Sequence, residues 1–293
     1  MPGQQGRTTT GSLADSLPTI IDSARTVREY EGVMLKLVDK NTLNSNSGLA
    51  WDEISLEQLN AQAVTETTVL DSPQLFQDTL FSITPTVVGI HTVVTDRVQK
   101  RISANVAARM GVLAQNAMNR KKDEDLITVL DGATTSLVGA GSEVTENHIA
   151  AAVKRIQSNA TEPAVSGIYT VLHGFQTYNL QSRLLVGVPT YPIPSGLTES
   201  VYRMGFRGSI VGSELFEDGN ITIDSGDDAK GGVFAREAIV HVQGMSPRGE
   251  TQRWPHYGGG ADALWMYDEY GNGERSAGNW MYEIFADATS PTS

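Results

Sequence analysis

The chain has 293 residues, 40% apolar and 19% charged, with 34 acidic against 22 basic side chains and a net charge of −12. That length allows about two domains and a sizeable core, and the acidic balance argues against a sequence-independent nucleic-acid binder, which would carry a basic field. The absence of cysteine removes disulfides, thiolate metal sites and cysteine nucleophiles, and no stretch approaches the ~20 uninterrupted apolar residues that span a bilayer.

Residues 1–18 read as an arm of small and polar residues without the apolar middle of a secretory signal. From Thr19 to Lys40 the apolar positions Ile20, Ile21, Ala24, Val27, Tyr30, Met34 and Leu37 recur at helical spacing. Asn41 to Gly48 (NTLNSNSG) is a break made of turn formers. Residues 49–94 form a long, Thr-, Gln- and Val-rich excursion with few basic groups and extended ends. Its middle, AQAVTETTVLDSPQLFQDT, has no apolar face. Loops of this length usually have a task of their own.

Thr95 opens the strongest predicted helix, residues 96–122. Val98, Ile102, Val106, Met110, Leu113 and Ala117 step along one stripe about 40 Å long. Seven basic residues (Arg97, Lys100, Arg101, Arg109, Arg120, Lys121 and Lys122) stand there against Asp96 alone, a net of +6, so the rest of the chain carries −18. This basic face reads either as a solvated face paired with acidic neighbours or as one turned to an acidic partner or another copy. Asp123, Glu124 and Asp125 are expected to start a separate short helix ending before Gly132.

Beyond a linker at 133–144, Thr145 opens a helix with the stripe Ile149, Ala152, Val153 and Ile156. Ile168 to Leu172 reads as a buried strand, followed by a helix around Phe175 to Leu185. Then come candidate strands at Ser209–Gly212, Ile221–Ile223, Gly232–Phe234 and Ile239–Val242. Ala263–Tyr267 and Trp280–Phe285 are predicted to form a terminal hairpin around a turn containing Asn272-Gly273. The fold class is α+β, with no internal repeat.

Motifs of catalysis are missing. No Gly-rich phosphate loop or nucleophile elbow occurs, and the five histidines (His91, His148, His173, His241 and His256) are scattered. Asp218, Asp224, Asp227 and Asp228 crowd one stretch, but their spacing misses the EF-hand pattern and a solvated turn is the expectation. Asn159 and Asn220 match glycan acceptors by chance spacing. Trp254, Tyr257, Trp265, Tyr267, Tyr270, Trp280 and Tyr282 are expected to pack in a core or between subunits. No catalytic, cofactor-binding or metal-binding residue is predicted, and no cofactor.

The order of these pieces resembles the major capsid proteins of tailed bacteriophages, with the Hong Kong 97-type fold. Ala63 to Phe76, then Phe81-Ser82-Ile83-Thr84-Pro85-Thr86-Val87-Val88-Gly89 and Val94-Thr95-Asp96-Arg97, resemble the extended loop (E-loop) running into the spine helix of that family. Val165 to Leu185 (VSGIYTVLHGFQTYNLQSRLL) resembles the strand-then-helix of its axial domain. Phe206 to Ser213 resembles a further axial strand, with Ser209 and Ile210 where proline is common, and Lys230 to Arg236 resembles the return to the peripheral domain.

The resemblance covers about residues 20–287. It implies an N-terminal arm at 1–48, an E-loop at 49–94, a discontinuous peripheral domain at 95–144 and 236–293 with spine helix 96–122, and an axial domain at 145–235. It also implies a non-enzymatic structural protein that self-assembles through pentamers and hexamers into the icosahedral head shell around a double-stranded DNA genome. The DNA would lie inside without sequence-specific binding, and no membrane would be involved. Since no scaffolding segment is seen ahead of the arm, either a separate scaffolding protein or a chain already processed is expected, along with a portal and, in some shells, a decoration protein. The protein would be assembled in the host cytoplasm and found in the virion. Lysine is absent between Lys40 and Lys100, which argues against a cross-linking loop lysine. An encapsulin-type compartment shell is the alternative on the same fold, and an α+β hydrolase the alternative from another class.

Overall fold

The computed structural model describes residues 7–8, 30–44, 48–56, 58–61, 63–65, 78–101, 106–160, 162–185, 208–257 and 259–292, with the side chains of 7–8, 101, 106–109 and 183–185 left aside. All of the arm expected at 1–18 except Arg7–Thr8, the first part of the helix expected from Thr19, residues 66–77 and the strand start at Phe206 lie outside these residues. Within them are the strands β1 (Arg7–Thr8), β2 (Asp39–Thr42), β3 (Trp51–Leu56), β4 (Asp78–Ile83), β5 (Thr86–Thr95), β6 (Ser136–Val138) and β7 (Ile168–Leu172). The remaining strands are β8 (Ser209–Ile210), β9 (Ser213–Glu217), β10 (Asp228–Ala235), β11 (Ile239–Gln243), β12 (Arg248–Trp254), β13 (Ala261–Glu274) and β14 (Met281–Asp287). The helices are α1 (Met34–Leu37), α2 (Asp96–Arg101), α3 (Val106–Asp131), α4 (Glu146–Gln157) and α5 (Gly174–Leu185). None of them is long and apolar enough to cross a membrane.

Two six-stranded sheets organise the molecule. The first runs β1-β5-β13-β11-β2, with β12 also on β13. The second runs β6-β14-β10-β7-β9-β8. Strands β3 and β4 pair with each other as a separate antiparallel ribbon. Two strands from outside 145–235, β6 and β14, complete the second sheet. The main core lies on this sheet, where Phe234, Val233, Met281 and Ile284 meet α4 residues Ile149, Val153 and Ile156, Leu180 of α5 and Leu126 and Leu130 of α3.

Helix α4 follows its sequence closely. Ile149, Ala152, Val153 and Ile156 are its buried residues. The Thr145 N–H donates to His148 Nδ1 at 3.2 Å, so His148 takes the place that Glu or Gln holds in most capping boxes.

The long helix departs from expectation in two ways. Helix α3 continues unbroken for 26 residues to Asp131, about 39 Å, with no new start at Asp123. Arg120–Glu124 and Lys121–Asp125 pair one turn apart across the expected junction, which favours continuation. The buried face also differs from the expected stripe. Val98 is buried, but further along Ala114, Met118, Lys122, Leu126 and Leu130 point inward, and Leu113 is 39% exposed. Each step of four residues turns the stripe by about 40° at 3.6 residues per turn. The stripe thus moves around the helix, which touches β5, β11 and β13 of the first sheet and β10 and β14 of the second.

The expected hairpin of Ala263–Tyr267 with Trp280–Phe285 does not form. Strand β13 runs straight through Asn272-Gly273, and β14 pairs with β10 in the other sheet. Tyr270 to Glu274 pair with Gln243 to Ile239, and the His241 imidazole meets the Asn272 side chain at 2.7 Å. The glycines serve close approach here, not a turn. A Cβ at Gly271 would lie 2.7 Å from Ile83 Cγ2, and one at Gly273 would lie 3.0 Å from Ile83 Cδ1. The segment at 34–42 is likewise a single helical turn followed by β2, which pairs in parallel with β11. Ile223 makes only an isolated bridge to Ala229.

Lys122, expected on an exposed basic face, is buried against Asp268 of β13. Its Nζ lies 2.6 Å from Oδ2, outside regular hydrogen-bond geometry, and 3.1 Å from Gln243 Oε1. Asp268→Ala would leave a buried ammonium without its counter-charge. Denaturant unfolding of the unassembled chain should show a stability loss of about 3–5 kcal/mol, and a loss below 1 kcal/mol would refute this role for the pair.

Candidate assembly surfaces

The β3–β4 ribbon is anchored at its root and uncovered at its outer end. Trp51 pairs with Ile83 and Leu56 with Asp78, so the root is the 51/83 end. There Ile83 packs with Val240 and Val242, and Leu43, Trp51 and Phe81 close the cluster. Trp51 and Phe81 meet edge to face at 6.2 Å. Arg275, just beyond β13, fixes the root by charge. Its Nε donates to Glu53 Oε2, one terminal nitrogen to Asp39 Oδ2 and the other to the Glu237 carbonyl, each at 2.9 Å.

Farther out the pattern reverses. Ile54 and Leu80 stand directly opposite each other across the two strands, 61% and 64% exposed. Leu56, Leu59 and Val64 are also more than half exposed. A directly opposed apolar pair is the unit that stabilises a sheet when covered, and an isolated two-stranded ribbon is marginal in water. The outer half of the ribbon is therefore left uncovered by the rest of the described chain.

A second junction seats the chain that follows the arm. The Val33 N–H donates to Asp218 Oδ2 and the Met34 N–H to Asp123 Oδ1, both at 3.0 Å. Asn220 bridges the two acids. Its backbone N–H donates to Asp218 Oδ1 at 2.9 Å and its side-chain amide to Asp123 Oδ2 at 2.8 Å. Burial pushes the Asp123 carboxyl up to about 7; the neighbouring Asp218 adds to this, and the donors Asn220 and Met34 oppose it. Gly32 is required for the fit, because a Cβ there would fall 2.0 Å from Asp123 Cγ.

The remaining sequence candidates disperse. Asp224 accepts the Gly226 and Asp228 amides and Asp228 accepts the Gly141 amide, so these aspartates shape loops. Among the described residues no group of three His, Asp or Glu could hold a metal ion. Three histidines lie in separate places: His148 caps α4, His241 meets Asn272 and His173 lies edge-on to Phe175, while His91, stacked on Trp265 at 4.6 Å, and His256 both pack against Trp254. His241 is held below its usual range, chiefly by burial.

The aromatic set splits in four, with Tyr267 apart under the Arg248 guanidinium, whose carbon lies 5.7 Å from the ring centroid. Trp254, Tyr257 and Trp265 cluster over the first sheet with His91 and His256. Tyr270 donates to Asp125 at 2.6 Å. Trp280 and Tyr282 belong to the core of the second sheet. On the basic helix, Arg97 and Lys100 are exposed, Arg120 and Lys121 pair along the helix, and Lys122 is inside. Arg275, Glu53 and Asp39 carried no local sequence pattern, and Asp123 and Asn220 carried patterns for other roles, a helix start and a glycan acceptor. Their partners lie as far as 236 residues away.

No protein-family profile and no curated protein matches the chain. Solved structures do. The acid-stable capsid structure of Helicobacter pylori bacteriophage KHP30 superposes with a TM-score of 0.72 at 9% identity, covering 98% of this chain and 100% of that one. The capsid structure of cyanophage P-SCSP1u gives 0.68 at 14% identity, with 99% of each chain covered. The capsid of Ralstonia phage GP4 gives 0.68 at 13% identity, covering 100% of this chain and 97% of that one. The chain has the Hong Kong 97-type capsid fold.

Arg275→Lys keeps the charge but loses the planar fork that reaches three acceptors. It should lower the stability of the unassembled chain by about 1–2 kcal/mol and speed proteolysis at the ribbon root. Unchanged proteolysis there would show that the apolar root cluster suffices.

Proposed function

We propose that this chain is the major capsid protein of a tailed bacteriophage, a structural protein without catalytic activity. Copies would assemble through pentamers and hexamers into an icosahedral head shell around double-stranded DNA. The observation that carries this reading is the ribbon: a root fastened by Arg275 and an outer half whose Ile54–Leu80 pair is left open on a fold that matches phage capsid structures end to end.

A monomer gains little from such a projection, since ordering each backbone residue costs ~1–2 kcal/mol. On an adjacent subunit, burying the apolar pair offsets that cost at about 25 cal/mol per Å². Each ribbon then covers a different surface of its neighbour, a heterologous contact that closes into rings.

On this reading residues 1–48 form the N-terminal arm, 49–94 the extended loop, 95–144 and 236–293 the peripheral domain, and 145–235 the axial domain. Strands β6 and β14 cross from the peripheral segments into the axial sheet. The net charge of −12 suits a wall that must not bind the packaged genome. A separate scaffolding protein, a portal and, where the shell needs it, a decoration protein complete the partners. Assembly would take place in the host cytoplasm and the product would be the virion.

Ile54→Asp combined with Leu80→Asp places two charges in the covered half of the ribbon. The variant should keep the wild-type circular dichroism and unfolding midpoint but form no shells in negative-stain electron microscopy, where the wild type does. Normal shells from the double variant, or a wild type that stays a monomer of 31.5 kDa at every concentration, would overturn the reading.

A further inference from the structure

The junction between α1, α3 and the loop after β9 is unusual in its charge. Asp123 is 2% exposed and Asp218 is fully buried, and one residue, Asn220, ties the two carboxyls together. Each also accepts one of two consecutive backbone amides, Val33 and Met34, and Asn220 donates to both.

No cation forms a salt bridge with either acid among the described residues. From the 30–38 segment, Glu31 and Lys36 pair with each other at 2.8 Å, and the Tyr30 hydroxyl donates to the Glu217 carbonyl. From α3, Arg120 pairs with Glu124. From the β9 side, the Glu217 carboxylate accepts the Thr177 hydroxyl at 2.8 Å. From the β7–α5 corner comes His173, whose protonation burial disfavours, with Asp218 and Glu217 opposing. Lys36, Lys40 and Arg120 only rim the groove of about 520 Å³ that Asp123 also lines.

Two carboxyls bridged by one asparagine and this dry resist ionising together. We propose that Asp123 and Asp218 form a proton-operated latch: one proton held between them keeps the Val33 and Met34 amides docked, and its loss drives the acids apart and opens the 30–38 segment from the spine helix. Residues 30–38 belong to the segment 1–48 read as the arm, so the latch would set whether this part of it is held on the body or free. The inference rests on the geometry of this junction and not on the assembly reading.

The sign follows from linkage. Asp123 in the docked state is raised to about 7 from 3.8, with burial the largest cause. Docking therefore takes up a proton between those values. It is tightest at low pH and weakens as pH rises through the window. Each pH unit inside it changes the docking equilibrium by up to about tenfold, so pH 5 to pH 7 amounts to about a hundredfold.

Hydrogen exchange read by mass spectrometry on the full chain tests this. The protection of the peptide covering 30–38, corrected for the intrinsic pH dependence of exchange, should fall by about a hundredfold between pH 5 and pH 7.5, while the β14 peptide stays constant. Asp123→Asn removes the titrating carboxyl and should flatten that slope, whereas Asp218→Asn leaves Asp123 raised by burial and should only move the window to lower pH. Constant protection in the wild type would overturn the latch, as would the wild-type slope and window persisting in whichever of the two variants folds.

Discussion

The planar fork of Arg275 joins three places that the chain order keeps far apart. Glu53 of the ribbon lies 222 residues away and Asp39 of β2 lies 236 away, while the Glu237 carbonyl belongs to the turn before β11. The side chain is 18% exposed, so its hydrogen bonds act where water competes little. Directly above it, the bare Cα atoms of Gly271 and Gly273 let Ile83 and Phe81 settle onto β13. Charge and close packing thus fix the angle at which the ribbon leaves the body. Everything the ribbon can reach is decided at that root.

The rest of the molecule is arranged around an equally long-range element. Helix α3 lies on both sheets, and its buried face turns as it passes from one to the other. At the crossing the contact is polar. Lys122 meets Asp268, and Tyr270 meets Asp125. Polar groups at such a crossing specify alignment more than they add stability, because they must meet their partners to be buried at all. Apolar packing resumes beyond it, with Leu126 and Leu130 in the main core.

Much of this was legible in the sequence where the signal is local. The stripe and cap of α4, the strand at 168–172, the helix after it and the extended ends of 49–94 follow from spacing and composition. Errors arose where a residue type has two uses. Asn272-Gly273 has the chemistry of a tight turn, yet its glycine serves here to admit Ile83. Lys121 and Lys122 are adjacent and look alike, but a 100° rotation puts one in solvent and the other against Asp268. The acids at 123 and 218 carried no periodic mark, since a pairing across 95 residues leaves none. The functional reading came from the order of elements, not from any single site.

Strand β12 has a consequence of its own. It pairs on one side with β13 and is exposed along nearly its whole length. An open edge of this kind is a template for indiscriminate strand addition. Arg248, Glu250 and Arg253 alternate in sign along it, and Arg253 is held by Asp96 and Asp262. Fixed charges penalise a foreign strand that lacks the matching pattern. This border gives the fold a means of refusing a mismatched strand along β12 while the apolar face of the ribbon stays uncovered.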